Sequence, residues 1–227
     1  MYLRYFKRLF DIILSLMAII VSLPIFVIIF IILAFSRKYP VFFVQERIGY
    51  HNKSFNIIKL NTMYKNADNG GTESITLADD KRIIPSRKFM RKIKIDEMPQ
   101  LLNILLGTMS IVGARPQMAI DFEKYSPEVQ AKIYNIRPGI TGVGSIIFRD
   151  EEKWLSKAKG DKHEFYKNYI SPYKGAVELW YQDHVSFITD MLIIGITACV
   201  LIRPNSNLIY KVFKDLPEKP EIFCKEK

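Results

Sequence analysis

Cysteine is nearly absent from this 227-residue chain: Cys199 lies in an apolar run and Cys224 in a charged tail. So few thiols indicate neither a disulfide framework nor a zinc site, and they fit a reducing, cytoplasmic setting. Internal repeats and low-complexity tracts are also missing, which excludes a repeat architecture. Acidic residues are in deficit, 23 against 33 Lys and Arg, leaving a net charge of +10 and a pI near 9.5. That surplus calls for an anionic partner, whether nucleic acid, phospholipid headgroups or a phosphorylated substrate, and charge alone does not choose. Apolar residues are not scarce. At 49% they are ample for a core, and the length fits one domain plus an appendage.

From Phe10 to Phe35 the chain is apolar apart from Asp11, Ser15 and Ser22, and no A-x-A cleavage site follows, so it is not a removable signal peptide. As a straight helix it would reach roughly 39 Å, enough to cross a hydrocarbon core of about 30 Å. Two details weigh against a simple span. Pro24 removes a backbone donor and clashes with the carbonyl of Ile20, and Ser22 is placed to satisfy a backbone group freed there. Both flanks are basic, with Arg4, Lys7 and Arg8 before the run and Arg37 and Lys38 after it, which places both ends on the cytoplasmic side. These residues leave a spanning helix and a re-entrant hairpin equally open.

The adjacent carboxylates Asp96-Glu97 stand between a basic run (Arg87, Lys88, Arg91, Lys92, Lys94) and Pro99-Gln100-Leu101-Leu102-Asn103. One reading makes Asp96 the N-cap of a helix from Glu97 to Leu106, closed by Gly107. The other makes the pair a phosphate-handling dyad, with the helix N-terminus drawing the anion in. Upstream, Val41 to Val44 and Ser54 to Lys59 predict a hairpin around Gly49-Tyr50-His51-Asn52. Asn66 to Asp80 reads as a loop, Ser86 to Lys92 as a basic amphipathic helix, and Asp150 to Lys167 as surface helix. The segments Ser110 to Pro116 and Arg137 to Gly144 read as Pro- and Gly-shaped turns, each carrying one arginine suited to bidentate phosphate recognition. Phe187 to Ile202, 16 residues with Asp190 inside, is too short to span and reads as a buried or interfacial helix.

In order, the chain presents a basic N-terminus, a Pro-broken apolar helix and Val41-Phe42-Phe43-Val44-Gln45-Glu46-Arg47-Ile48-Gly49, then Phe55-x-x-x-Lys59-x-x-x-Met63 and Asp80-x-Arg82-Ile83. Arg91-Lys92-x-x-x-Asp96-Glu97-x-Pro99-Gln100-Leu101-x-Asn103, Met109-Ser110-x-Val112-Gly113-x-Arg115-Pro116 and Arg137-Pro138-Gly139-x-Thr141-Gly142 follow. From about Lys7 to Ile202 this resembles the bacterial sugar transferase family, the monotopic polyprenyl-phosphate phosphoglycosyl transferases that begin surface glycan assembly. The resemblance implies a mixed α+β, mostly helical fold. It comprises a re-entrant helix-break-helix over residues 1–38, broken at Ser22 and Pro24, a catalytic domain over 39–185 with a small β-hairpin, and a C-terminal interfacial helix and tail over 186–227. It also implies a place on the cytoplasmic face of the bacterial inner membrane, among its phospholipids, with no nucleic acid as partner.

The activity so implied is transfer of a sugar 1-phosphate from a UDP-sugar to undecaprenyl phosphate with release of UMP, through a phosphosugar-aspartyl intermediate on Asp96. A carboxylate is already ionised at neutral pH and needs no base, so the difficulty is bringing anions together. That calls for Mg²⁺ and basic side chains, with Lys59, Arg91, Arg115 and Arg137 as candidates and Glu97 holding the metal or orienting the nucleophile. Three positions depart from the family pattern: Ser22-Leu23-Pro24 for Ser-Pro, Leu60-Asn61 for an aromatic-Arg pair, and Ala114-Arg115-Pro116 for Pro-Arg-Pro. The competing classes are a membrane-tethered nucleic-acid binder using Lys81 to Lys94, and a scaffold for glycan enzymes.

Overall fold

The computed structural model describes residues 2–35, 39–64, 76, 80–158, 160–204 and 206–223. The Arg37-Lys38 flank, nearly all of the loop expected over Asn66 to Asp80, and Cys224 lie outside the described residues. A short π-helical turn leads into α1 (Lys7–Phe35), followed by the hairpin β1 (Phe42–Ile48) and β2 (Ser54–Leu60). Then come α2 (Lys88–Lys92), α3 (Gln100–Leu106), β3 (Ser110–Val112), α4 (Ala119–Phe122), α5 (Pro127–Lys132) and β4 (Gly139–Thr141). The chain continues through α6 (Val143–Ile147), α7 (Glu151–Lys157), α8 (Lys162–Phe165), α9 (Ser171–His184), α10 (Phe187–Ile202) and α11 (Leu208–Val212). The fold is therefore mixed α+β and mostly helical.

The hairpin forms where alternation and turn residues predict it, paired antiparallel from Phe42↔Leu60 to Ile48↔Ser54. The expected α10 also appears with its bounds intact, capped by Ser186, whose Oγ accepts from the Thr189 amide. Two expectations are corrected. The segments around Arg115 and Arg137 are not only turns: Ser110–Val112 and Gly139–Thr141 pair as a two-stranded parallel sheet. Their backbones approach so closely that a Cβ on Gly139 would lie 2.1 Å from the Gly113 nitrogen, which explains a glycine in each motif. The helix after the carboxylates begins later than predicted, at Gln100, and Ile95–Glu97 is a separate 3₁₀ turn.

The break expected at Ser22 and Pro24 is not there: α1 is continuous, and its 29 residues include Pro24 without interruption. A single proline deletes one ladder bond, and the bonds on either side keep the helix together. Ser22 Oγ reaches back to the carbonyls of Ala18 (2.6 Å) and Ile19 (3.3 Å), not to that of Ile20, because a serine in a helix bonds three or four residues back. Almost the whole apolar length is uncovered, with 6% of its most hydrophobic window buried. The two ends differ. At the foot, Lys7 Nζ sits 2.5 Å from Asp190 Oδ2 of α10, and Tyr181 OH donates to Asp190 Oδ1 at 2.7 Å. Asp11 Oδ1 accepts from Ser110 Oγ and the Ile111 amide, both at 3.0 Å. At the far end Leu33 is buried and the Phe30 ring lies 6.0 Å from that of Phe42.

The main core gathers Val112, Val143, Val177, Tyr181, Ile193 and Ile196 from β3, α6, α9 and α10, with Ile170 from the π-helical turn before α9. Thus α10 is part of the globular packing. A second cluster of Ile57, Ile104 and Met109 fastens α3 to β2, and Asn103 completes that joint. Its Oδ1 accepts from the Ile58 amide at 3.2 Å and its Nδ2 donates to the Asn56 carbonyl at 2.8 Å. The strand carrying Lys59 is thereby fixed against the helix that follows the two carboxylates.

Candidate active site

The chain enters the site through Lys94, which adopts a left-handed conformation (φ 61°) after α2 and turns the following 3₁₀ segment inward. Asp96 and Glu97 are consequently 5% and 7% exposed. Asp96 is not a helix cap: Pro99 holds the N-cap position of α3 with no side-chain cap bond, and Asp96 Oδ1 is buried with no hydrogen-bond partner. Glu97 is the opposite case. Arg115 grips it through Nη2–Oε1 at 2.5 Å and Nη1–Oε2 at 3.3 Å, and Lys59 Nζ lies 3.3 Å from Oε1.

These surroundings split the two acids. Burial raises the carboxyl of Asp96, and the neighbouring Glu97 charge raises it further, against Lys59, Arg91 and Lys94. Burial acts on Glu97 as well, yet Arg115 and Lys59 hold it well below the usual carboxylate range. Lys59 is pushed down to about 8, by burial against the pull of Glu97. Arg115 is raised above its ordinary value by Glu97. The site therefore holds one clamped carboxylate and one carboxyl with a free oxygen.

Among the candidates named from sequence, Lys59, Glu97 and Arg115 meet directly, and Asp96 adjoins them, near enough for Glu97 and Lys59 to act on its charge. Arg91 stands just outside, bonded to Glu152 of α7 at 3.0 Å and close enough to act on the charge of Asp96. Arg137 makes its contacts at the far end of α3: its Nε donates to the Gly107 carbonyl at 2.7 Å and its guanidinium lies 4.8 Å from the Tyr50 ring centre. Arg8 works beside it, donating to the carbonyls of Ile104 and Leu105, so the two arginines satisfy the open C-terminus of α3. Gly107, in a left-handed conformation (φ 84°), ends that helix as expected.

Arg47 received no role from the sequence, although it lies within the quoted β1 motif. Its guanidinium bonds Gln45 Oε1 at 2.5 Å and the Pro116 carbonyl at 3.4 Å, and burial and the Arg115 charge lower it to about 10. It remains a cation at neutral pH. The departures at Leu60-Asn61 and Ala114 are absorbed by packing: Leu60 and Ala114 are core residues, and the Asn61 carbonyl accepts from the buried Arg87 at 2.5 Å. One member of the basic run is thus inside the fold, not on a surface open to nucleic acid.

The sequence matches the model of the family described as bacterial sugar transferase over residues 2–204. It is 32% identical over 192 residues to the uncharacterized sugar transferase EpsL of Bacillus subtilis, covering 85% of each chain. It is 30% identical over 189 residues to the UDP-glucose:undecaprenyl-phosphate glucose-1-phosphate transferase of Escherichia coli, covering 82% of this chain and 39% of that one. With the UDP-N-acetylgalactosamine-undecaprenyl-phosphate N-acetylgalactosaminephosphotransferase of Aeromonas hydrophila it shares 31% over 145 residues, 63% of this chain and 34% of that one. The chain thus spans about a third to two-fifths of the length of the two longer relatives and most of the length of the shorter one. The chain is an enzyme of the bacterial sugar transferase family.

Proposed function

We propose that the enzyme transfers a sugar 1-phosphate from a UDP-sugar to undecaprenyl phosphate and releases UMP, with Asp96 as the nucleophile. The observation that carries this reading is the buried, unbonded oxygen of Asp96 beside a Glu97 whose two oxygens are held by Arg115 and Lys59. An Asp96 oxygen attacks the phosphorus that bears the sugar, the bond from that phosphorus to the UMP oxygen breaks, and UMP leaves. An oxygen of the lipid phosphate then attacks the same phosphorus, and the carboxylate of Asp96 departs as the leaving group. Arg115, Lys59 and Arg47 offset the charge of the phosphates as they approach, and Glu97 keeps the first two in place. The Escherichia coli and Aeromonas hydrophila relatives are named for undecaprenyl phosphate and for different sugars, which supports the acceptor class and leaves the sugar open.

A divalent cation fits this donor set in one way. Among the described residues no three His, Cys, Asp or Glu gather as a metal cage. Mg²⁺ is characteristically held by one or two carboxylates together with substrate phosphates, and Asp96 and Glu97 fit that mode. When bound, the ion would supply neutralisation of phosphoryl charge.

The membrane reading is a re-entrant course for the continuous α1, with both of its ends on the cytoplasmic face of the inner membrane. The foot of α1 at Lys7 and Asp11 and its far end at Phe30 and Leu33 both touch the same globular domain. A helix crossing a core of about 30 Å carries its ends to opposite sides, so contacts at both ends support the re-entrant course. The testing experiment is UMP release from a panel of UDP-sugars by purified protein with Mg²⁺, with and without undecaprenyl phosphate. Turnover that needs the lipid and vanishes in Asp96→Asn is the expected result. Unimpaired turnover in homogeneous Asp96→Asn protein would remove Asp96 from the mechanism.

A further inference from the structure

Glu178 on α9 is a carboxyl that the transfer chemistry does not use, 1% exposed, with Oε2 lacking any hydrogen-bond partner. It faces the backbone N–H groups of Arg115 and Gly144. Position 144 leaves room for it: a Cβ there would lie 2.2 Å from Glu178 Oε1. The other side of the same Arg115 residue is held too. Its carbonyl accepts from Tyr134 OH at 3.0 Å and from Gln117 Nε2 at 3.3 Å. The peptide groups of Arg115 are therefore clamped from α9 and from Tyr134, while its guanidinium reaches Glu97.

We infer that Glu178 is a positioning residue for the transfer reaction, its carboxyl fixing the backbone of residues 113–117 so that the Arg115 guanidinium meets Glu97 and the donor phosphates. The inference rests on the transferase reading above. A loop bearing a catalytic cation gains precision when its main chain is anchored by a rigid neighbouring element, and a misplacement of about 1 Å can cost a hundredfold in rate. Burial lifts the Glu178 carboxyl to about 8, against Lys174 one turn earlier, which is itself paired with Glu151 at 2.6 Å. Tyr125 and Tyr134, the tyrosines coupled to it, are both raised and neutral. Near neutral pH the group is thus a protonated acid, and glutamine, with the same shape and an acceptor oxygen, is its isostere.

The test combines amide hydrogen exchange with UMP release on the full chain, comparing wild type with Glu178→Gln, Glu178→Ala and Gly144→Ala. Losing a buried acceptor in Glu178→Ala is expected to speed exchange in residues 113–117 by about tenfold or more, and to lower kcat about 10- to 100-fold. Glu178→Gln stays within about threefold of wild type on both measures, since the amide oxygen still accepts. Gly144→Ala displaces the carboxyl without deleting it and gives the same local loosening even where Glu178→Ala does not fold. Wild-type exchange at 113–117 in both alanine variants overturns the inference, as does a Glu178→Gln enzyme impaired as much as Glu178→Ala. A wild type that releases no UMP from any donor, with the loosening still seen, refutes the transferase reading and leaves the clamp on Arg115 standing.

Discussion

Arg115 holds both carboxylate oxygens of Glu97, and the shorter contact, 2.5 Å from Nη2 to Oε1, is shared with Lys59 on the same oxygen. A lysine at 115 would keep the charge and lose the fork that makes the second bond. Because a hydrogen bond to a charged group is worth about 1.5–3 kcal/mol, Arg115→Lys is expected to lower kcat about 10- to 100-fold. Steady-state UMP release checks this, and a variant within twofold of wild type would show that charge at 115 suffices.

The neighbouring acid predicts a trade between activity and stability. Asp96 is buried with an unpaired oxygen, and burial followed by the Glu97 charge raises its folded value above the unfolded one. A carboxyl shifted that way weakens the fold as pH rises from the unfolded toward the folded value, since ionisation is easier in the unfolded chain. At neutral pH a neutral amide therefore suits the pocket better. Asp96→Asn is expected to lose turnover and to gain about 2–4 °C in Tm, the size of shift that roughly 1 kcal/mol gives a chain of this length. A lower Tm in thermal melts would contradict the environment described for Asp96.

What the sequence discloses and what it hides divide along local and non-local structure. The hairpin, the helix Phe187–Ile202 and the stop at Gly107 follow from alternation, an apolar run and a glycine, all local in the chain. The pairing of Ser110–Val112 with Gly139–Thr141 joins strands of three residues across a long connection, too short for any periodicity to announce. Asp96 has the residue type of a cap and misses the position, because Lys94 turns left-handed and inserts a 3₁₀ turn before the helix. The arginines at the two turns look equivalent in sequence, yet Arg115 reaches Glu97 while Arg137 closes the end of α3. Glu178 is one of two acids on α9, and only the tertiary packing puts it under Arg115.

Lys59 predicts the alkaline side of the pH profile. Burial lowers it to about 8, with Glu97 pulling the other way, so its charge on the shared Glu97 oxygen is present below that value and is lost as pH rises through it. The kcat/KM for UMP release is accordingly expected to fall with an apparent pKa near 8. Lys59→Arg keeps the cation at all accessible pH values and moves this limb upward. Glu178 ionises in the same range, so Glu178→Gln is the control that leaves the limb in place. A limb that moves with Glu178→Gln and ignores Lys59→Arg would reassign it.

The topology of α1 sets where all of this chemistry happens. Its uncovered apolar length suits association with a membrane, while Lys7 and Asp11 pin the foot to α10 and β3 through buried groups. The far end also lies against β1 at Phe42, so both ends contact one domain, as the proposed re-entrant course requires. Cysteines introduced singly at Tyr5 and Lys53, in a chain with Cys199 and Cys224 replaced by serine, are therefore expected to label from the same side of sealed vesicles. Labelling from opposite sides would return the helix to a simple span. Lys7→Met provides the energetic counterpart. It strips Asp190 of its buried partner, which costs about 3–5 kcal/mol, so the domain should lose its grip on the foot of α1 and melt well below wild type.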